Sequence, residues 1–183
     1  MVLYGSRTIN QRDQIYDLLS RSAQAYWGLN QLPAVERHPE GKPWFPSRAE
    51  LEFNLSHSGT MGLCALSCHP VGVDIQIIKQ WRPGLPQRVC SQEELDWLDR
   101  QQDQWGAFTV LWALKESRVK QSGRGLRDPI RQIRVPLPKE GEMSFQLDGF
   151  YFGLYRGTDW IGAVCGLESP PETILWEVGD TVL

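Results

Sequence analysis

Apolar residues fall at two different spacings along this chain, and the changes between them mark out its elements. In "NQRDQIYDLLSRSAQAYWGL", Ile15, Leu18, Leu19, Ala23 and Tyr26 form one stripe at helical spacing. Asn10 can cap that helix, Asp13 sits in its first turn, and Gly28 is placed to end it. "HPEGKPWFP" then reads as loop, with prolines and Gly41 as punctuation. Three short runs rich in apolar and β-branched residues predict strands: Leu51 to Ser56, Gly62 to Ser67 and Val71 to Ile77. Ser91, with Glu94 three positions on, opens a helix through a capping box. A longer helix is predicted from Trp105 to Gln121, with a core stripe of Trp105, Phe108, Leu111, Trp112, Lys115 and Val119. "SGRGL" ends it. The rest is strand-like: "QIRV", "MSFQL", "FYFGLY", "WIGAVCGL" and "ILWEV".

One stretch echoes another. "SGTMGLCALSCHPVGVDI" and "RGTDWIGAVCGLESPPETI" share Gly-Thr, a glycine-containing apolar strand, a cysteine and a proline in the same order. Each follows a helix. The fold class expected is therefore α+β, two similar α/β halves packed as a pseudo-dimer, over residues 1–78 and 79–183 in one compact unit.

Composition narrows the function classes. With 183 residues, 41 % of them hydrophobic, the chain has enough material for a core. A net charge of −3 argues against a general nucleic-acid binder, and any bound anion must be held by a local basic patch. Four cysteines at this length make no disulfide framework. Cys64, Cys68 and His69 would be half a zinc site without a second half, or core thiols on a strand. No signal peptide and no bilayer-spanning run are present, which with reduced thiols points to the cytoplasm and away from membranes.

Three stretches carry candidate chemistry. In "FNLSHSG", strand parity puts His57 on the side of Phe53 and Leu55, so it is either buried and satisfied or at a strand end that opens onto a site. Ser56 and His57 point to opposite faces and make a poor nucleophile and base. In "GVDIQI", Asp74 and Gln76 share a face opposite Val73, Ile75 and Ile77, and Gly72 lets something approach the backbone. Asp74 fits a solvent-facing edge, a loop cap or a metal ligand. In "WALKESRVKQSGRGL", Trp112, Glu116 and Lys120 lie four residues apart on one stripe. Lys115, Arg118, Lys120, Arg124 and Arg127 put five basic residues within thirteen positions. A surface Glu–Lys pair is the plain reading. A phosphorylated ligand beside a divalent cation is the functional one.

Taken in order and spacing, "GKPWF…FNLSHSG", "VGVDIQ" and "WALKESRVKQSGRGL" resemble the 4′-phosphopantetheinyl transferases, closer to the larger, surfactin-synthetase-activator type than to the small trimeric holo-acyl-carrier-protein synthase. The resemblance runs from about Arg12 to Val178. It implies a pseudo-dimer with its site between the halves. It also implies Mg²⁺-dependent transfer of 4′-phosphopantetheine from coenzyme A to a serine of an apo acyl or peptidyl carrier protein, releasing adenosine 3′,5′-bisphosphate. Asp74 and Glu116 would hold Mg²⁺, with Gln76 where many relatives carry a second acid. Lys120 would neutralise the pyrophosphate, and Glu116 or a metal-bound water would accept the serine proton. Ser56, His57 and Lys42 would contact the coenzyme, and Arg12 would stand in for an N-terminal arm that is short here. A monomer is expected. A catalytically weak coenzyme-A-binding relative and a metal-dependent phosphohydrolase on another fold are the rival readings.

Overall fold

The computed structural model of the chain describes residues 1–125 and 129–177. In chain order the elements are β1 (Val2–Ser6), α1 (Gln14–Trp27), β2 (Glu36–Arg37), β3 (Pro43–Trp44), β4 (Glu52–Ser58), β5 (Met61–Ser67) and β6 (Gly72–Ile77). There follow α2 (Leu85–Val89), α3 (Gln92–Leu98), α4 (Gln104–Ser122), a 3₁₀ turn at Ile130–Gln132, β7 (Ser144–Leu147), β8 (Phe150–Arg156), β9 (Trp160–Gly166) and β10 (Leu175–Trp176).

Two four-stranded sheets form, in the orders β10-β1-β5-β4 and β6-β9-β8-β7. Within them, β1-α1-β4-β5 and β6-α4-β8-β9 repeat one plan: a strand, a helix, and a hairpin whose second strand pairs antiparallel with the first. The echoed sequences are the two hairpin turns with the strands that follow them, as an α+β pseudo-dimer requires. β10 crosses back to pair in parallel with β1, tying the end of the described chain to the first sheet.

The sheets pack face to face. Leu3, Leu63 and Ala65 of the first meet Val73, Ile75 and Val164 of the second. Helix α1 covers the outer face of the first sheet through Ile15, Leu18 and Leu19 against Phe53, Cys64 and Leu66. Helix α4 covers the outer face of the second, with Phe108, Leu111 and Leu114 against Phe152, Leu154 and Ala163. Because α3 and the 130–138 segment lie over it, α4 is buried nearly all round. A helix in that position needs apolar residues on every side rather than on one stripe.

The two sheets also meet edge to edge, without a backbone ladder. The Val73, Ile75 and Ile77 N–H groups of β6 donate to Asn54 Oδ1 (2.8 Å), Ser56 Oγ (3.2 Å) and Ser58 Oγ (3.1 Å) of β4. Alternating polar side chains thus satisfy the free edge of β6, which would otherwise bury unpaired N–H groups.

Several expectations are corrected. Asn10 does not cap α1. Asp13 precedes the helix, and Gln14 Oε1 accepts the Asn10 and Gln11 N–H groups instead. Tyr26 and Trp105, assigned to core stripes, are exposed. "QIRV" is not a strand: Gln132 ends the 3₁₀ turn, the rest is irregular chain, and Lys115 Nζ takes the Ile133 carbonyl that a strand would pair. The strand at the N-terminus, β1, was not anticipated. Of "ILWEV", Val178 lies outside the described residues, as does Arg127 of the basic run.

Candidate active site at the seam between the sheets

Asp74 sits at the seam. Its strand is threaded between β9 and β4, and Gly72 two residues earlier lets α4 lie directly on the strand. A Cβ at position 72 would run into the Ser117 carbonyl and the Gln121 N–H. That close approach brings the end of α4 over Asp74. Lys120 Nζ donates to Asp74 Oδ1 (2.6 Å), to Ser56 Oγ (3.1 Å) and to the Val73 carbonyl (3.2 Å). Ser56 Oγ donates to Asp74 Oδ1 (2.8 Å), and Gln76 Nε2 to Asp74 Oδ2 (2.8 Å). Three elements from both halves therefore converge on one buried carboxylate, that of Asp74, whose side chain is 2 % exposed.

Ser56 uses its full capacity inside the protein. Its hydroxyl gives one hydrogen bond, to Asp74, and accepts two, from Ile75 and Lys120. Glu116 lies one turn before Lys120 and is half-buried. Burial first, then the charge of Asp74, hold its carboxyl above the ordinary glutamate range, while Lys120 opposes the rise. On α4 the open stripe is Trp112, Glu116 and Lys120, the one picked out from spacing. Trp81, from the loop after β6, packs on Trp112 and Phe108 beside it and donates to Thr109 Oγ1.

The remaining predicted residues lie around this centre. His57 is exposed at the end of β4, on the face of Phe53 as parity required, but beyond the core. Lys42 is ion-paired with Glu52 at 3.2 Å and reaches the Gln121 carbonyl, one residue on from Lys120. A cleft of about 230 Å³ lined by His38, Lys42, Trp44, Glu52 and Gly123 opens beside it. Arg12 is exposed in the turn before α1. That loop is anchored to the β4–β5 hairpin by the Ile9 N–H on the Thr60 carbonyl.

Two sequence readings do not survive. Lys115 is no part of a basic surface: it is fully buried and ion-paired with Glu94 at 2.9 Å. Arg118 lies half-buried with its guanidinium over the Phe150 ring, so the basic run is dispersed around α4. The half zinc site is also dispersed. Cys64 is in the core, where burial pushes its thiol up to about 12, and Cys68 is exposed. Sequence reasoning missed Asn54 and Ser58, although polar residues at period two in a strand with buried neighbours were a visible sign of an edge contact.

The donor set suits a hard divalent cation. Asp74 and Glu116 offer two carboxylates near enough for one to shift the other, and Gln76 adds an amide oxygen. No group of three His, Cys, Asp or Glu side chains that could hold a metal occurs among the described residues. No helix among the described residues is long and apolar enough to cross a membrane.

The model of the 4′-phosphopantetheinyl transferase superfamily matches residues 70–165, from just before β6 to the end of β9. A 4′-phosphopantetheinyl transferase of Bacillus subtilis is 35 % identical over 142 residues, 74 % of this chain and 62 % of that one. The Sfp transferase of Bacillus subtilis strain 168 is 38 % identical over 64 % of this chain and 54 % of its own. AcpT of Salmonella typhimurium is 39 % identical over 58 % and 55 % respectively. The chain thus spans between half and two thirds of these relatives. Among solved structures, the holo-[acyl-carrier-protein] synthase of Thermotoga maritima aligns with a TM-score of 0.43 at 16 % identity, over 55 % of this chain and 63 % of that one.

Proposed function

The chain belongs to the 4′-phosphopantetheinyl transferase superfamily, and from that premise we propose that it moves the 4′-phosphopantetheine arm of coenzyme A onto a serine hydroxyl of an apo acyl or peptidyl carrier protein. The observation that carries this reading is the convergence of Asp74, Glu116 and Lys120 at the seam. Mg²⁺, when bound, supplies Lewis-acid stabilisation of charge on the pyrophosphate oxygens. Asp74 and Glu116 would hold it, with Gln76 as a further oxygen donor.

The chain's own groups do the rest. The carrier serine Oγ attacks the phosphorus nearer the pantetheine, and that phosphorus loses its bond to the oxygen bridging to the adenosine side. Adenosine 3′,5′-bisphosphate leaves. Glu116, one turn before Lys120 on α4, accepts the serine proton. Lys120 carries a positive charge to the pyrophosphate, where charge grows on the leaving oxygen. His57, exposed at the end of β4, and Lys42, beside its cleft, serve the coenzyme's phosphates. Ser56 joins them by turning to phosphate the hydroxyl proton it gives Asp74 in the free protein. Arg12, on the loop beside the hairpin tip, serves the adenosine end. The protein acts as a monomer in the cytoplasm, with two pseudo-symmetric halves supplying one site.

Chromatography of adenosine 3′,5′-bisphosphate tests the reading. Release should require coenzyme A, Mg²⁺ and an apo carrier together. Equal release without a carrier would identify a phosphohydrolase instead.

A further inference from the structure

We propose that Lys120 is a resident counter-ion that a divalent cation must displace from Asp74, so that the cation binds tightly only together with the coenzyme's pyrophosphate, to which Lys120 then moves. The inference rests on the functional reading above and adds an order of binding to it.

The ammonium is fully seated. Its three N–H groups have three acceptors, at Asp74 Oδ1, Ser56 Oγ and the Val73 carbonyl. Asp74 in turn is nearly saturated. Ser56 and Lys120 occupy Oδ1, and the Gln76 amide occupies Oδ2. A cation therefore meets a carboxylate already committed to three donors, one of them charged.

Charge points the same way. Asp74 and Glu116 bring two negative charges and Lys120 one positive. A divalent cation entering while Lys120 stays would leave a net positive charge in a largely buried place, which is costly. If Lys120 leaves, the two carboxylates and the cation balance. The lysine has a way out, because its side chain is 28 % exposed while that of Asp74 is only 2 % exposed. It stands in the last turn of α4, just before the helix ends at Gly123, on a four-carbon stem that can swing. Pyrophosphate is the acceptor that makes leaving favourable, since an ammonium removed from one anion needs another. Glutamine at position 76 strengthens the arrangement: it adds a donor to Asp74 and no charge to attract the cation.

Calorimetric titration of Mg²⁺ into the full chain, without coenzyme, tests this directly. An adjacent cation changes a carboxylate's proton affinity by about one to three powers of ten, and the same field opposes any bound cation. Lys120→Met should therefore bind Mg²⁺ at least about tenfold more tightly than the wild type. Lys120→Arg, which keeps the charge, should stay weak. Adding Asp74→Asn to Lys120→Met should remove the gain. Repeated with coenzyme A present, the titration should show a larger rise in Mg²⁺ affinity for the wild type than for Lys120→Met. Nuclear magnetic resonance of the wild-type lysine ammonium groups gives a readout needing no variant. The Lys120 signal should move when Mg²⁺ and coenzyme A are added together. Lys120→Met binding no more tightly than wild type, or an unmoved signal, would overturn the proposal. If that happens while the wild type still modifies a carrier, this inference falls and the functional reading stands. Tighter binding with no carrier modified would mean the reverse.

Discussion

Burial first, and then the charge of Asp74, raise the proton affinity of Glu116, while Lys120 opposes the rise. On the proposed reading, replacing either acid removes a cation ligand while leaving both sheets and their cores. Asp74→Ala and Glu116→Ala should each abolish transfer with an unchanged circular dichroism spectrum; near wild-type turnover in Mg²⁺ by either would refute the assignment. Glu116 also links stability to pH. In the unfolded chain it ionises at its ordinary value, about pH 4.3, whereas in the fold it holds its proton to higher pH. Its stabilising contribution is complete below the ordinary value and is lost as pH rises through the raised one. Denaturant midpoints of the metal-free protein should therefore fall relative to Glu116→Gln over that window, and a constant difference would contradict the burial of this carboxyl. Gln76→Glu adds the missing charge, and a Mg²⁺ titration should show activity retained with a lower cation requirement. At this scale the sequence was informative where a residue type broke a pattern. Asp74 stood out in an apolar strand, and His57 at the end of an apolar face. What it did not reveal was that Ser56 and Lys120 spend their donors on Asp74, because those partners are 18 and 46 positions away.

Among the elements, α4 decides the geometry of the centre. Gly72 sets its distance from β6, and the sequence hint that something approaches there is answered by the helix itself. Gly72→Ala should push α4 outward and shift Glu116 and Lys120 from Asp74. Carrier modification should fall by about a hundredfold, the usual penalty for a displacement near 1 Å, while the spectrum of a folded protein persists. Unchanged turnover would show that the helix has slack. The far side of α4 is held by Lys115, which joins Glu94 on α3 to the carbonyls of Ile130 and Ile133. Glu94 also accepts the Ser91 N–H in the capping box, so one carboxylate starts α3 and anchors α4. Lys115→Ala strands a buried charge and should cost about 3–5 kcal/mol in chemical denaturation; the pair replacement Lys115→Met with Glu94→Gln should cost less. Local signals located α1, β4 to β6, the capping box and α4. They placed Lys115 on the core stripe of α4, where it is buried, but they also counted it in a basic run, and that second reading falls because its partner Glu94 is distant in sequence. They failed on "QIRV" for a related reason, since a side chain from α4 takes the Ile133 carbonyl.

On the scale of the whole molecule, the duplicated plan explains why one site arises rather than two. Each half has a strand at its edge, but only β4 carries Asn54, Ser56 and Ser58 in register to receive the N–H groups of β6. That asymmetric seam places an acid from one sheet against a serine from the other and under a helix of the second half. The repeat was legible in the echo of two hairpins; the seam was not, because it depends on how the halves dock. Intact-mass measurement of an apo carrier protein, after incubation with this protein, coenzyme A and Mg²⁺, tests the central claim most directly. The account predicts a gain of one phosphopantetheine on the carrier serine, lost when a chelator is present and lost with Asp74→Ala. No gain on fatty-acid, polyketide or peptide carriers, from protein that still binds coenzyme A, would contradict it.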